Sequence, residues 1–249
     1  MQNIQLSASK IKVFNTCPLK YKYQYIDCIP SFDKSKQMQM GLLIHKVLEN
    51  FHKNNKITLD ELKKLLNIYW DRSFYSCEQE NEQNKEDAIM MLENYWNYID
   101  KTQLGMGYYE YEFSFNIDNI ELIGKCDRIN IDNDNNVTII DYKTSKNSVS
   151  KNILKKDIQL NIYALFLYKH GIQIDSSSKI KVIPKEIIML YLKKDKPEVL
   201  ITLNNEDLNK AIDDIKSISS EIKSSSYKPN KGRHCDWCDY KELLCPKFG

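Results

Sequence analysis

Apolar positions recur at helical spacing through the first hundred residues and at strand spacing through much of the second hundred. Ile44, Val47, Leu48 and Phe51 stand at i, i+3, i+4 and i+7, which gives residues 38–53 one apolar helix face. Residues 7–26 read as a helix with interleaved Tyr and Lys. Residues 58–78 and 83–103 read as two amphipathic helices, with Thr58 as a candidate N-cap. The pattern then changes. Residues 108–117, 120–131 and 137–143 read as successive strands, and 151–170 as a helix ended by Gly171. Strands at 185–193 and 198–203, around Asp195-Lys196-Pro197, precede a helix at 205–224 and a cysteine-rich end. This order predicts an α/β fold, a mixed central sheet flanked by helices, in one domain spanning 1–249. Residues 54–106 read as a helical insertion and 225–249 as a cysteine segment.

The polar positions inside the strands carry the chemistry. Asp127 follows an apolar run, and Asp141 and Lys143 end the run Val137-Thr138-Ile139-Ile140. Residues two apart on a strand share a face, so Asp141 and Lys143 point one way while Ile140 and Tyr142 point the other and can pack. Two carboxylates and an amine converging on paired strands can bind a divalent cation and activate a water beside it. An isolated Asp-x-Lys is more often a surface ion pair, but burying unpaired carboxylates next to apolar runs is costly. Glu110 and Glu112, on the preceding strand, are lesser candidates for the same role.

Seven cysteines narrow the choice: Cys17, Cys28, Cys77, Cys126, Cys235, Cys238 and Cys245. Cys235-x-x-Cys238 places two thiolates on one metal, Cys245 offers a third, and Cys17 is the best fourth. The odd count and a Lys/Asn-rich composition without a secretory signal argue against disulfides and for a cytoplasmic setting. Four cysteines suit a zinc ion or a 4Fe–4S cluster equally by count, and His234 adds a three-cysteine zinc variant. Cys28, Cys77 and Cys126 read as buried thiols. Net charge is only +2, so the chain as a whole does not announce a nucleic-acid partner. Its lysines nevertheless cluster at 10–22, 143–156 and 223–231, which suits a phosphate-tracking groove. No run approaches the ~18 apolar residues of a membrane span, and no Gly-x-x-x-x-Gly-Lys-Ser/Thr loop marks a helicase motor.

In order along the chain, several motifs carry a resemblance: Ser7 to Tyr23 with Cys17-Pro18; Gly41-Leu42-Leu43-Ile44-His45; Ile123-Gly124-Lys125-Cys126-Asp127-Arg128; Ile139-Ile140-Asp141-Tyr142-Lys143-Thr144; Gln159-x-x-x-Tyr163; and Cys235, Cys238 and Cys245. Together they resemble nucleases of the PD-(D/E)xK superfamily, in its RecB/AddB-like branch with an iron–sulfur cluster, and the related CRISPR-associated adaptation nucleases. The resemblance implies a restriction-endonuclease-like core with a C-terminal cluster loop. It implies Mg²⁺ or Mn²⁺ on His45, Asp127, Asp141 and the Tyr142 carbonyl. Catalytic roles fall to Asp127, Asp141, Lys143, Gln159 and Tyr163, and a 4Fe–4S cluster falls to Cys17, Cys235, Cys238 and Cys245. The implied function is DNA phosphodiester hydrolysis, as a single-stranded DNA exonuclease in repair, recombination or CRISPR adaptation. Its partners would be DNA and a separate helicase or adaptation protein. The competing readings are a non-catalytic DNA-binding or assembly module, and a zinc-stapled protein with no nuclease role.

Overall fold

A computed structural model describes residues 3–30, 35–53, 58–102, 106–174, 176–195 and 197–248. The chain opens with a short strand, β1 (Ile4–Leu6), then α1 (Ala8–Thr16) and α2 (Pro18–Tyr21), which runs into a π-helical turn. Next come α3 (Lys36–Lys53), α4 (Leu59–Tyr69) and α5 (Glu78–Thr102). Three strands follow: β2 (Met106–Ile117), β3 (Ile120–Ile131) and β4 (Val137–Lys143). The remainder is α6 (Lys151–Leu154), α7 (Ile158–Lys169), β5 (Ile172–Gln173), β6 (Lys179–Ile180), β7 (Glu186–Tyr191), β8 (Glu198–Ile201) and α8 (Asn205–Ser224).

Six strands form the mixed sheet. One edge of β3 pairs along its length with β2, antiparallel. Its other edge is shared: Ile120–Leu122 pair in parallel with β1, and Arg128–Ile131 pair antiparallel with β4. Beyond β4 the sheet continues to β7, in parallel, and to β8. Among the described residues, the stretch of β3 between Ile123 and Asp127 therefore has no strand on that edge, and a gap opens there.

Helices cover both faces, each over its own core. Val137 and Ile139 of β4 join Ile187 and Met189 of β7 under α1, α7 and α8. Ile140, Tyr142, Ile188 and Leu190 face the other way, into Leu48, Leu62 and Leu92 of α3, α4 and α5. That alternation was readable from the sequence. The β2–β3 ribbon departs from it. Leu122 and Cys126 lie in the first core, and so do Ile129 and Ile131, an odd offset later. The ladder lacks the Glu110–Asp127 rung, and Glu110 takes φ 47°. The ribbon changes face there.

Three expectations about the elements need correction. The helix expected over 7–26 breaks at Cys17, whose extended backbone obeys the steric demand of Pro18. The helix expected over 58–78 ends at Tyr69. The helix expected over 151–170 is two, because the Asp157 side chain accepts hydrogen bonds from the Gln159 and Leu160 amides and starts α7 afresh. Of the expected insertion 54–106, residues 54–57 and 103–105 lie outside the described residues, as does Lys196 in the expected turn.

Gly124 pairs with Phe113 of β2 in the stretch of β3 whose other edge is open, and a Cβ there would clash with the Phe113 ring. That ring stacks on Phe166 at 4.5 Å, so moving it disturbs the core. Gly124→Ala is expected to destabilise the fold by about 1–3 kcal/mol, with partial rescue by Phe113→Leu. Urea denaturation checks this, and an unchanged midpoint in Gly124→Ala contradicts it.

Candidate active site

The β3–β4 ladder stops at Arg128 opposite Ile140. The next rung would set Asp127 directly against Asp141, and like charges so placed repel. Instead the strands part, and Asp127 Oδ2 accepts the Tyr142 N–H at 2.8 Å. Asp141 is 0% exposed. Lys143 Nζ lies 2.5 Å from its Oδ2, and Gln159 Nε2 donates to its Oδ1 at 2.8 Å. Burial first, then the Asp127 charge, push the Asp141 carboxyl up to about 6, with Lys143 opposing. Burial disfavours the Lys143 ammonium, but the attraction of Asp141 outweighs it and holds its pKa above the ordinary lysine value.

Helix α3 enters the gap from the opposite face. His45 Nε2 lies 3.2 Å from the Tyr142 carbonyl. Its Nδ1 lies 3.3 Å from Asp127 Oδ1 and 3.4 Å from Glu110 Oε1. Burial works against a charged imidazole, yet these two carboxylates overcome it and hold the His45 pKa up to about 10. Glu110 also pairs with Lys125 Nζ at 2.9 Å. A glutamate in the left-handed region inside a strand is strained, at a cost of about 1–3 kcal/mol. The strain sits where the ribbon changes face and where Glu110 meets His45.

Ligand atoms of His45, Glu110 and Asp127 all lie within 4.8 Å of one another. Glu110 Oε1 and Asp141 Oδ2 are buried, and among the described residues each meets one charged side chain, His45 for Glu110 and Lys143 for Asp141. Hard oxygen donors with lone pairs to spare, beside one imidazole, fit Mg²⁺ or Mn²⁺.

Gln159 and Tyr163 stand one turn apart on α7. Gln159 Nε2 also donates to the Tyr163 hydroxyl at 2.7 Å, and that hydroxyl donates to the Lys125 carbonyl at 2.8 Å. Lys12 of α1 donates to Gln159 Oε1 at 3.3 Å and to Asp157. Gln159 therefore orients Asp141, and Tyr163 and Lys12 orient Gln159. A cleft of about 690 Å³, walled by Ser9, Gly124, Lys125 and Gln159, opens beside them.

The structure groups His45 and Asp127 about the Tyr142 backbone. Beside them, and outside the closest ligand group, it places Asp141 with Lys143 and Gln159, with Tyr163 just behind. It adds Glu110 in a more prominent position than the sequence gave it, and Lys125, which the sequence reading did not single out. Strand alternation puts Glu110 and Glu112 on the same face, and only the change of face at Glu110 separates them.

Cys17, Cys235, Cys238 and Cys245 line one small cavity, ringed by Lys231, Lys241 and Lys247. Backbone amides point at two of the sulfurs: Asn230 N–H at Cys17 Sγ (3.4 Å) and Gly232 N–H at Cys235 Sγ (3.5 Å). Among the described residues, no three of these sulfurs come within 4.8 Å of one another. A tetrahedral zinc with Zn–S near 2.3 Å needs sulfurs about 3.8 Å apart, so the quartet stands wider than zinc requires. Of the thiols expected to be buried, Cys126 is buried, whereas Cys28 and Cys77 are exposed. Cys28 follows the π-helical turn and Cys77 precedes α5, and neither faces a core.

A family model described as the PD-(D/E)XK nuclease superfamily matches residues 5–246. An uncharacterized protein of Rickettsia bellii (strain RML369-C) is 30% identical over 158 residues, 59% of this chain and 19% of that protein. An uncharacterized Rickettsia conorii protein is 32% identical over 155 residues, 56% of this chain and 18% of its own length. The chain thus spans about a fifth of these relatives. A crystal structure of a Eubacterium rectale protein, provisionally named an exonuclease, aligns with TM-score 0.56 at 14% identity. It covers 96% of this chain and 89% of that one. At that identity the likeness concerns the fold alone. Within the described residues no helix is long and apolar enough to cross a membrane.

Because both carboxylates hold a proton on His45, metal uptake is expected to release close to one proton between pH 7 and 8. Metal affinity should then rise with pH. Without metal, the stabilisation from protonated His45 is fully present below its unfolded value near 6.5 and fades as pH rises through about 10. Titration calorimetry with Mn²⁺ in buffers of different ionisation enthalpy measures the release. Glu110→Gln should weaken binding about 10-fold or more. No proton release, or unchanged affinity in Glu110→Gln, contradicts this geometry.

Proposed function

We propose a function from one premise: the chain belongs to the PD-(D/E)XK nuclease superfamily. The function is metal-dependent hydrolysis of DNA phosphodiester bonds, as a single-stranded DNA exonuclease. The observation that carries it is the parting of β3 and β4 at Asp127 and Asp141, which leaves two buried carboxylates around a gap with Lys143 beside them.

Asp127, Asp141, Glu110, His45 and the Tyr142 carbonyl are the groups that would hold Mg²⁺ or Mn²⁺. Such an ion supplies an acidified water and positive charge against the phosphate. Lys143 offers a half-buried ammonium that donates to the attacking water or to the phosphate oxygen where negative charge builds. Asp141 keeps that ammonium charged and aimed. Gln159 fixes the Asp141 rotamer, and Tyr163 and Lys12 fix Gln159, so these three position rather than react. In-line attack by water breaks the P–O3′ bond and leaves 5′-phosphate and 3′-hydroxyl ends.

The cysteine quartet, which lines one cavity, is assigned to a 4Fe–4S cluster, with zinc as the competing occupant. Its role is structural: contacts from 225–248 to the first thirty residues include Asn230 to Thr16, Tyr23 to Leu244 and Tyr240 to Ile29. Closing a loop of more than two hundred residues restricts the unfolded chain. The pathway assigned is repair, recombination or CRISPR adaptation, beside a separate helicase or adaptation protein.

The test uses anaerobically purified protein, Mg²⁺ or Mn²⁺, and end-labelled single-stranded DNA, linear and circular. Linear DNA should be degraded and circles spared, with Asp141→Ala and Lys143→Ala each slower by about 10²–10³-fold. Full activity in either variant overturns the site. Cut circles overturn exonuclease action. The protein should be brown and contain iron, whereas zinc without iron overturns the cluster assignment.

A further inference from the structure

Helix α3 separates the candidate metal site from a second feature. His45 lies on one flank of the helix, and Lys46 lies on the other. Between α3 and the end of α4 runs a cavity of about 230 Å³ walled by Leu42, Lys46, Tyr69, Trp70, Phe74 and Tyr75. Its aromatic walls are held rigidly. Trp70 stacks on Tyr75 at 5.3 Å and 10° and donates its indole N–H to Asn81 at 2.9 Å. The cation is present too: Lys46 Nζ sits 4.3 Å from the centre of the Tyr69 ring. Large apolar side chains remain in water around it, Leu42 at 50% exposed, Phe74 at 42% and Met38 at 54%. Asp71 is the acid on the rim, and its Oδ1 accepts the Ser73 amide.

The geometry points to a stacking site for unpaired nucleobases in this groove, a deepening of the nuclease reading on which it rests. Flat aromatic faces beside a lysine are the chemistry that binds single-stranded DNA without reading its sequence, since every base has a π-face and every linkage a phosphate. The groove is the size of a base or two. A protein partner would need an apolar face several times larger, near 800 Å² per side. Position completes the argument. Met38, Leu42, His45 and Glu49 recur at i, i+4, i+7 and i+11, so they form one stripe along α3. Exposed Leu42 stands on the crest between the groove and His45. Leu42 and Lys46 of the groove lie three residues and one residue from His45 on the same helix, so a short single strand can span the two. A strand whose base stacks on Trp70 and Phe74 would cross α3 over Leu42 and enter the gap at Asp127 and Asp141. Paired bases cannot enter the groove, so it selects single strands.

The probes are dT12, dT12 with abasic sites replacing its central bases, and a blunt duplex. Binding is followed by fluorescence anisotropy with Ca²⁺, using the full chain and Phe74→Ala and Lys46→Ala, both at exposed positions. Thymidine 5′-(p-nitrophenyl phosphate), too short to reach across α3, serves as a cleavage control with Mn²⁺. The groove predicts that each variant weakens dT12 about 5- to 100-fold, leaves the duplex and the nitrophenyl ester unchanged, and loses the penalty for abasic sites. Equal dT12 binding by wild type and both variants overturns the groove while the nuclease reading stands. Failure of wild type to cleave either dT12 or the ester overturns the nuclease reading, and this inference with it. A concentration-dependent dimer lost in Phe74→Ala, with dT12 binding intact, reassigns the face to a second copy of the chain.

Discussion

Two carboxylates that cannot face each other across a ladder govern this molecule. In register, Asp127 and Asp141 would be a directly opposed pair on neighbouring antiparallel strands. The ladder ends one rung earlier, and β3 follows β2 while β4 follows β7. Repulsion alone would make that parting a defect. It is stabilised because each carboxylate finds a donor: the Tyr142 amide for Asp127, and Gln159 with Lys143 for Asp141. The parting gives the sheet an opening reachable from both faces. Helix α3 sends His45 through it from one core, and α7 sends Gln159 from the other. His45 meets Asp127 and Gln159 meets Asp141, one at each side of the opening.

The same opening explains why the ends of the chain are tied together. Helix α1 packs on α7 and sends Lys12 to Gln159 and Asp157. It ends at Cys17, which lines the cavity shared with Cys235, Cys238 and Cys245. The link from cysteine segment to candidate site therefore runs through one nine-residue helix. Loosening the cysteine end would free α1, then Lys12, then the amide that orients Asp141. Structural support and chemistry meet at Gln159.

Much of this was legible in the sequence, and the parts that were not have identifiable causes. The β4 alternation set Asp141 and Lys143 against Ile140 and Tyr142, because a strand buried on both faces leaves little freedom of register. The apolar stripe of α3 marked its buried face, with His45 on the flank. The site role of Glu110 was not legible as more than a lesser candidate, since it depends on a change of face in the β2–β3 ribbon that no local residue type announces. The break of the first helix was signalled by Cys17-Pro18, and the start of α7 by the capping preference of Asp157. In both cases the apolar periodicity on either side hid the break. The exposed positions of Cys28 and Cys77 reflect turns that propensity does not resolve.

The central claim is that the gap between β3 and β4 is a divalent-metal site. Anomalous diffraction from crystals soaked in Mn²⁺ tests it most directly. The account predicts a peak bounded by Asp127, Asp141 and the Tyr142 carbonyl, within reach of Glu110 or His45, that disappears in Asp141→Ala. A soaked crystal with an ordered gap and no peak there, or with its Mn²⁺ bound only elsewhere, would contradict it.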